Sequence, residues 1–64
     1  MLRWSLDAQI ACVRRELALR QRVYPRWVAA SKMKQAKADE EIAAMQAVHD
    51  TLAKLKDAAD VVRR

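Results

Sequence analysis

The sequence of 64 residues contains no glycine, no phenylalanine, one proline and one cysteine. Without glycine, few positions readily adopt the backbone conformations of tight turns, so a sheet of short hairpins is not expected. Cys12 has no second cysteine for a disulfide, and with His49 it provides only two of the roughly four ligands that a closed zinc site needs. We therefore expect no metal site and no cofactor.

The residues that are abundant are alanine, leucine, arginine, lysine, glutamine and glutamate, which favour helices. The fold class expected is all-α, in a single domain over 1–64. No apolar run approaches the roughly 18 residues that span a bilayer, so no membrane partner is expected. A lone cysteine is typical of a reducing compartment, which favours a cytoplasmic protein.

The net charge of +5 is unevenly distributed along the chain. Residues 1–37 carry nine Lys/Arg and two acids, which gives +7, whereas residues 38–64 carry four Lys/Arg and six acids, which gives −2. A basic first half predicts attraction to something anionic: a nucleic acid, an acidic protein face, or the second half of the same chain.

Apolar residues recur in steps of three and four in the first half of the chain, which predicts a helix over about 5–29. Ser5 is a suitable N-cap, and Arg20 is the charged exception on the apolar stripe, where it should pair with Asp50 or Glu16 or set the register. Pro25 predicts a kink with one further turn after it. The stripe consists of Leu6, Ile10, Val13, Leu17, Tyr24 and Trp27.

A polar break at about 30–34 precedes a second periodic segment, which predicts a second helix over about 35–62. Two helices of similar length joined by a short break favour an antiparallel, coiled-coil-like hairpin, in which Leu17 would face His49. One long kinked helix is the alternative, since no glycine enforces a turn. The second stripe consists of Ala38, Ile42, Met45, His49, Leu52, Leu55, Ala59 and Val62.

Such a hairpin buries only one stripe on each helix, so it should be marginally stable alone. We expect a homodimer that forms a four-helix bundle.

The string Tyr24-Pro25-Arg26-Trp27-Val28, followed by Lys32-Met33 and later by Glu41-Ile42 and Met45, resembles short helical proteins of bacteriophages and prophages. Ser31 departs from this pattern, which usually has glycine there, and Lys34 stands where a capping Thr or Ser is common. The resemblance implies an accessory protein without catalytic residues, located in the host cytoplasm. Small phage proteins often act by stoichiometric binding, including as inhibitors of host defence systems.

The candidate binding residues are basic and aromatic side chains within residues 14–34. Aromatic residues with arginine are typical of protein interfaces, so a protein partner is the first hypothesis. Non-specific binding to nucleic acid through the basic residues is the alternative. His49 is interpreted as a half-buried, hydrogen-bonded residue and Cys12 as structural, so no enzyme is expected. The candidates are Arg14, Arg15, Arg22, Tyr24, Arg26, Trp27, Lys32 and Lys34.

Overall fold

The chain folds into two antiparallel helices, and the computed structural model describes residues 3–63. Helix α1 spans Leu6–Ala29 and helix α2 spans Gln35–Arg63, with the two packed along their length. The principal extents of the molecule are 50 × 18 × 15 Å. A continuous helix over the same residues would be about 90 Å long at 1.5 Å per residue. The hairpin is therefore confirmed, and the single long helix is not the structure.

The first helix begins as the sequence predicts. The Ser5 hydroxyl accepts a hydrogen bond from the Ala8 amide at 3.1 Å, and the Ser5 carbonyl accepts from the Gln9 amide at 3.0 Å. The carboxylate of Asp7 lies in the first turn, where the positive end of the helix dipole favours it.

Helix α1 continues through Pro25 to Ala29. Proline has no amide hydrogen and therefore cannot donate to the carbonyl of Gln21, yet one more turn follows it. The expected continuation after the proline is confirmed, while the kink itself stays a prediction.

The chain reverses through a Schellman motif at the end of α1. The Ser31 amide donates to the Val28 carbonyl at 3.0 Å, and the Lys32 amide donates to the Trp27 carbonyl at 2.8 Å. Ser31 has a φ of 60°, the left-handed conformation that usually selects glycine at this position. A serine thus makes the turn without glycine, at the cost of a strained backbone.

Few side chains are buried between the two helices. Among the described residues only Ile10 and Ala38 are buried, and most of the two predicted stripes are half-buried. The predicted second stripe is wrong at its far end, because Leu55 is 53% exposed and Val62 is 84% exposed. Lys56 is half-buried instead, since its ammonium group reaches Asp7 on the other helix at 3.4 Å.

Candidate functional site

An aromatic pair lies at the turn end of α1. The rings of Tyr24 and Trp27 stack with their centroids 5.5 Å apart and their planes at 28°. Tyr24 is half-buried against the hairpin, whereas Trp27 is 43% exposed. The Trp27 carbonyl belongs to the Schellman motif, so the turn fixes the backbone that carries the indole. The pair thus presents an exposed aromatic surface on a defined backbone.

Arg20 joins the two helices beside this pair. Its Nε donates to Glu16 Oε1 at 3.0 Å, and its Nη1 donates to the Glu41 carbonyl at 2.8 Å, with Glu41 Oε2 at 3.5 Å. The guanidinium carbon lies 5.9 Å from the centroid of the Tyr24 ring. The expected pairing of Arg20 is therefore confirmed with Glu16, and Glu41 is a partner that the sequence did not reveal.

The charges in this network shift one another's pKa values. The hydrogen bond from Lys37, then the charge of Lys37 and that of Arg20, hold the pKa of Glu41 below its usual value. The hydrogen bond with Glu16 raises the pKa of Arg20, and the one with Glu41 raises the pKa of Lys37. Each shift favours the charged form, so Arg20, Lys37 and Glu41 are ionised at neutral pH.

Three candidate arginines share the outer face of α1, and one of them, Arg15, also borders a groove between the two helices. Arg15, Arg22 and Arg26 are separated by seven and four residues, which places them on one helix face, and all three are exposed. The ion pairs found among residues 3–62 instead involve Arg20, Lys37 and Lys56 as the Lys/Arg partners. The outer arginines therefore have no carboxylate partner within that range.

Arg14 lies at the edge of the hairpin opposite to Arg20. Its Nε donates to His49 Nε2 at 3.3 Å, and His49 Nδ1 lies 3.2 Å from Asp50 Oδ1. Because the arginine Nε can only donate, His49 accepts at Nε2 and donates from Nδ1 to the carboxylate. Hydrogen bonds from Gln46 and then from His49 lower the pKa of Asp50. His49 is thus half-buried and hydrogen-bonded, as expected.

The turn lysines lie in the chain reversal that follows the aromatic pair, where the Lys32 amide donates to the Trp27 carbonyl. Lys32 and Lys34 are exposed and, with Val28 and Met33, line a shallow groove at the chain reversal. The structure therefore places the candidate residues in three groups rather than on one surface. Tyr24, Trp27, Lys32 and Lys34 are at the turn end, Arg15, Arg22 and Arg26 are on the outer face, and Arg14 is at the opposite edge.

Cys12 is exposed on α1, and among the described residues no three His, Cys, Asp or Glu side chains lie close enough together to hold a metal ion. Neither helix, as far as it is described, is long and apolar enough to cross a membrane.

Comparisons with family models, with curated proteins and with solved structures found no match for this chain. The resemblance to phage proteins stays a prediction.

Proposed function

We propose that the protein acts by stoichiometric binding to one protein partner and catalyses no reaction. The observation that carries this proposal is the exposed Trp27 ring, stacked on Tyr24 and held by the Schellman turn. Tryptophan, tyrosine and arginine are the residues most enriched at the energetic centres of protein interfaces. A fixed backbone and a stacked ring lower the ordering cost of binding.

The charge around this pair indicates the chemistry of the partner. Arg26, Lys32 and Lys34 are exposed near Trp27, and the chain carries a net charge of +5. A basic surface of this kind accelerates association with an acidic one and disfavours basic partners. The partner proposed is therefore a protein with an acidic face and an apolar pocket that accepts an indole.

The test compares two exposed tryptophans at opposite ends of the hairpin. The wild-type protein, Trp27→Ala and Trp4→Ala are immobilised and exposed to extract of the natural host, and retained proteins are identified by mass spectrometry. Trp4 is 65% exposed and therefore is the matched control. We expect one protein to be retained by the wild type and by Trp4→Ala, and to be lost with Trp27→Ala.

Titration calorimetry with the purified partner should then give a fixed stoichiometry. A loss of about 2 kcal/mol for Trp27→Ala, or roughly 30-fold in Kd, is expected of an interface centre. Retention of the same proteins by both tryptophan variants would show that the turn end is not the binding surface.

The second candidate function is binding to nucleic acid through Arg15, Arg22 and Arg26. Their alignment on one face without carboxylate partners in the described chain is the observation that favours it. Three phosphate contacts predict a slope of about −2.7 in log K against log salt, so affinity for duplex DNA should fall about 40-fold between 50 and 200 mM salt. Arg22→Ala should reduce the slope by about 1. Binding that is independent of salt would exclude this mode.

The resemblance to phage proteins leads to a narrower form of the first proposal. In that form the protein acts in the host cytoplasm, and the partner is a component of a host defence system. Expression in a defended bacterium should then raise plaque numbers, and Trp27→Ala should remove the effect. Unchanged plaque numbers with the wild type would reject this narrower form alone.

We also propose that the chain forms a homodimer, as a four-helix bundle. In the described part of the chain two residues, Ile10 and Ala38, are buried, which is a small core for a domain of any size. Chains this short commonly gain stability by oligomerisation when they lack disulfides and metals.

A further inference from the structure

One side of the hairpin is marked by the contact between Arg20 on α1 and Glu41 on α2. Residues seven apart lie on nearly the same face of a helix, because seven residues complete almost two turns. Val13 therefore shares the side of Arg20, and three residues of α2 share the side of Glu41. These three, at successive steps of seven, are Val48, Leu55 and Val62.

These three side chains of α2 are largely uncovered in the hairpin. Val48 is 46% exposed, Leu55 is 53% exposed and Val62 is 84% exposed. Ala44 precedes Val48 by four residues, and Thr51 and Ala58 lie between the three large side chains. These smaller residues are also exposed, and the whole row advances in steps of three and four residues. Such spacing is that of a coiled-coil seam, and it runs beside the seam that contacts α1. This outer row of α2 consists of Ala44, Val48, Thr51, Leu55, Ala58 and Val62.

Several charged residues of the same half of the hairpin lie on the other side, whereas the exposed Lys54, three residues after Thr51 and four before Ala58, borders the row. The contacts of Asp7 with Lys56 and of Arg14 with His49 mark the opposite side. No position of the outer row between Ala44 and Val62 carries a charge. An uncharged, exposed row on an otherwise highly charged molecule is typical of a surface that another helix covers.

The area of the molecule indicates how much surface is left to cover. The accessible surface of the chain is 5263 Å². A compact monomer of the same 7.3 kDa mass has about 4,200 Å². The excess of about 1,100 Å² exceeds the roughly 800 Å² that each partner buries in a standard interface. A dimer could therefore bury a standard interface without reducing the surface below that of a compact chain.

We propose that the outer row of α2 is the dimer interface, packed against the same row of a second copy in antiparallel orientation. The row is self-complementary, because Val48 and Val62 lie seven residues on either side of Leu55. A two-fold axis beside Leu55 therefore places Val48 of one copy against Val62 of the second copy. This proposal rests on the homodimer proposed above and names the face that forms it.

The turn-end surface stays free in this dimer. Along α2, Val48 is seven residues from the axis at Leu55, and Glu41 is fourteen residues from it. The outer row therefore ends before Glu41, and Trp27 lies beyond that point, beside the turn. The dimer therefore presents two copies of the aromatic pair at its two ends, which is compatible with one protein partner bound at each.

The first test is sedimentation equilibrium of the full chain over about 5–500 μM, for the wild type, Leu55→Glu and Leu19→Glu. Leu19 is 43% exposed among the outer arginines of α1, so it is matched to Leu55 in residue type and similar in exposure. We expect a wild-type dimer, a Kd raised at least tenfold in Leu55→Glu, and a Kd changed less than threefold in Leu19→Glu. Circular dichroism verifies that each variant remains helical.

The second test does not depend on a destabilising charge. Leu55→Cys in a Cys12→Ser background should form a disulfide-linked dimer on mild oxidation, because the two side chains meet at the axis. Leu19→Cys in the same background should not.

Three results would overturn the proposal, and they differ in what else they affect. A helical wild type that stays monomeric over the whole range would reject the homodimer as well. A dimer unaffected by Leu55→Glu would leave the homodimer and reject this face. A monomeric wild type whose Trp27-dependent partner is lost in Leu55→Glu would assign the row to that partner instead of a second copy.

Discussion

Replacing Ser31 with glycine should stabilise the protein, because Ser31 occupies the left-handed conformation with φ of 60°. A residue with a Cβ atom pays about 1–2 kcal/mol for that conformation, which glycine does not. Glycine also loses more backbone entropy on folding, which offsets about 0.4–1 kcal/mol. The expected net effect of Ser31→Gly is a gain of about 0.5–1 kcal/mol in the free energy of unfolding.

The matched control is Ala29→Gly, two residues earlier in the last turn of α1. At a helical φ, glycine in place of alanine costs about 0.5–1 kcal/mol, so the two variants should change stability in opposite directions. Urea unfolding followed by circular dichroism, at one protein concentration because a dimer is expected, measures both. If both glycines destabilise the protein, Ser31 is in helical conformation in solution and the chain does not reverse there.

Two further predictions concern the network that joins the helices. Arg20→Met keeps the aliphatic contact but removes the hydrogen bonds to Glu16 and to the Glu41 carbonyl, which should cost about 2 kcal/mol, whereas Arg22→Met should stay within about 0.5 kcal/mol. Equal unfolding midpoints in urea for the two variants would contradict this. Folding lowers the pKa of Glu41, so the ionised carboxylate contributes fully to the free energy of unfolding at pH values above its unfolded-state pKa. This contribution is lost as the pH falls toward the folded-state pKa. Unfolding midpoints from about pH 6 to 3 should therefore fall less in Glu41→Gln than in the wild type, and parallel curves would show that the pair with Lys37 is not formed.

Local sequence signals predicted much of the fold correctly. The Ser5 cap, the helix that continues beyond Pro25, and the polar link near 31 all follow from rules that act within a few residues. The charge of Arg20 on an apolar stripe likewise indicated a polar partner nearby. These features need no knowledge of what the other helix contributes.

Features that depend on the other helix were not predictable in the same way. Periodicity placed Leu55 in the seam, but Lys56 lies there because Asp7 on α1 provides a carboxylate for it. A long lysine side chain can cover apolar surface with its stem while its ammonium group reaches an acid. Leu55 is 53% exposed and lies in the outer row of α2 instead of in the seam.

The candidate binding residues show a similar division. The aromatic pair and the turn lysines are close together because the turn gathers them, as their positions in the chain suggested. Arg14 and Arg15 border the same groove between the helices, although neighbouring residues on a helix point about 100° apart. Arg14 donates to His49, whereas Arg15 is also aligned with the outer arginines.

The reversal of the chain is the claim on which the proposed surfaces depend, and one distance tests it directly. Spin labels on the native Cys12 and on Lys54→Cys, diluted with unlabelled protein, report the separation of the two helices within one chain. In the hairpin the labels lie across a pair of helices, about 25–30 Å apart. A single continuous helix would separate the same positions by about 63 Å, and a distribution centred there would contradict the hairpin.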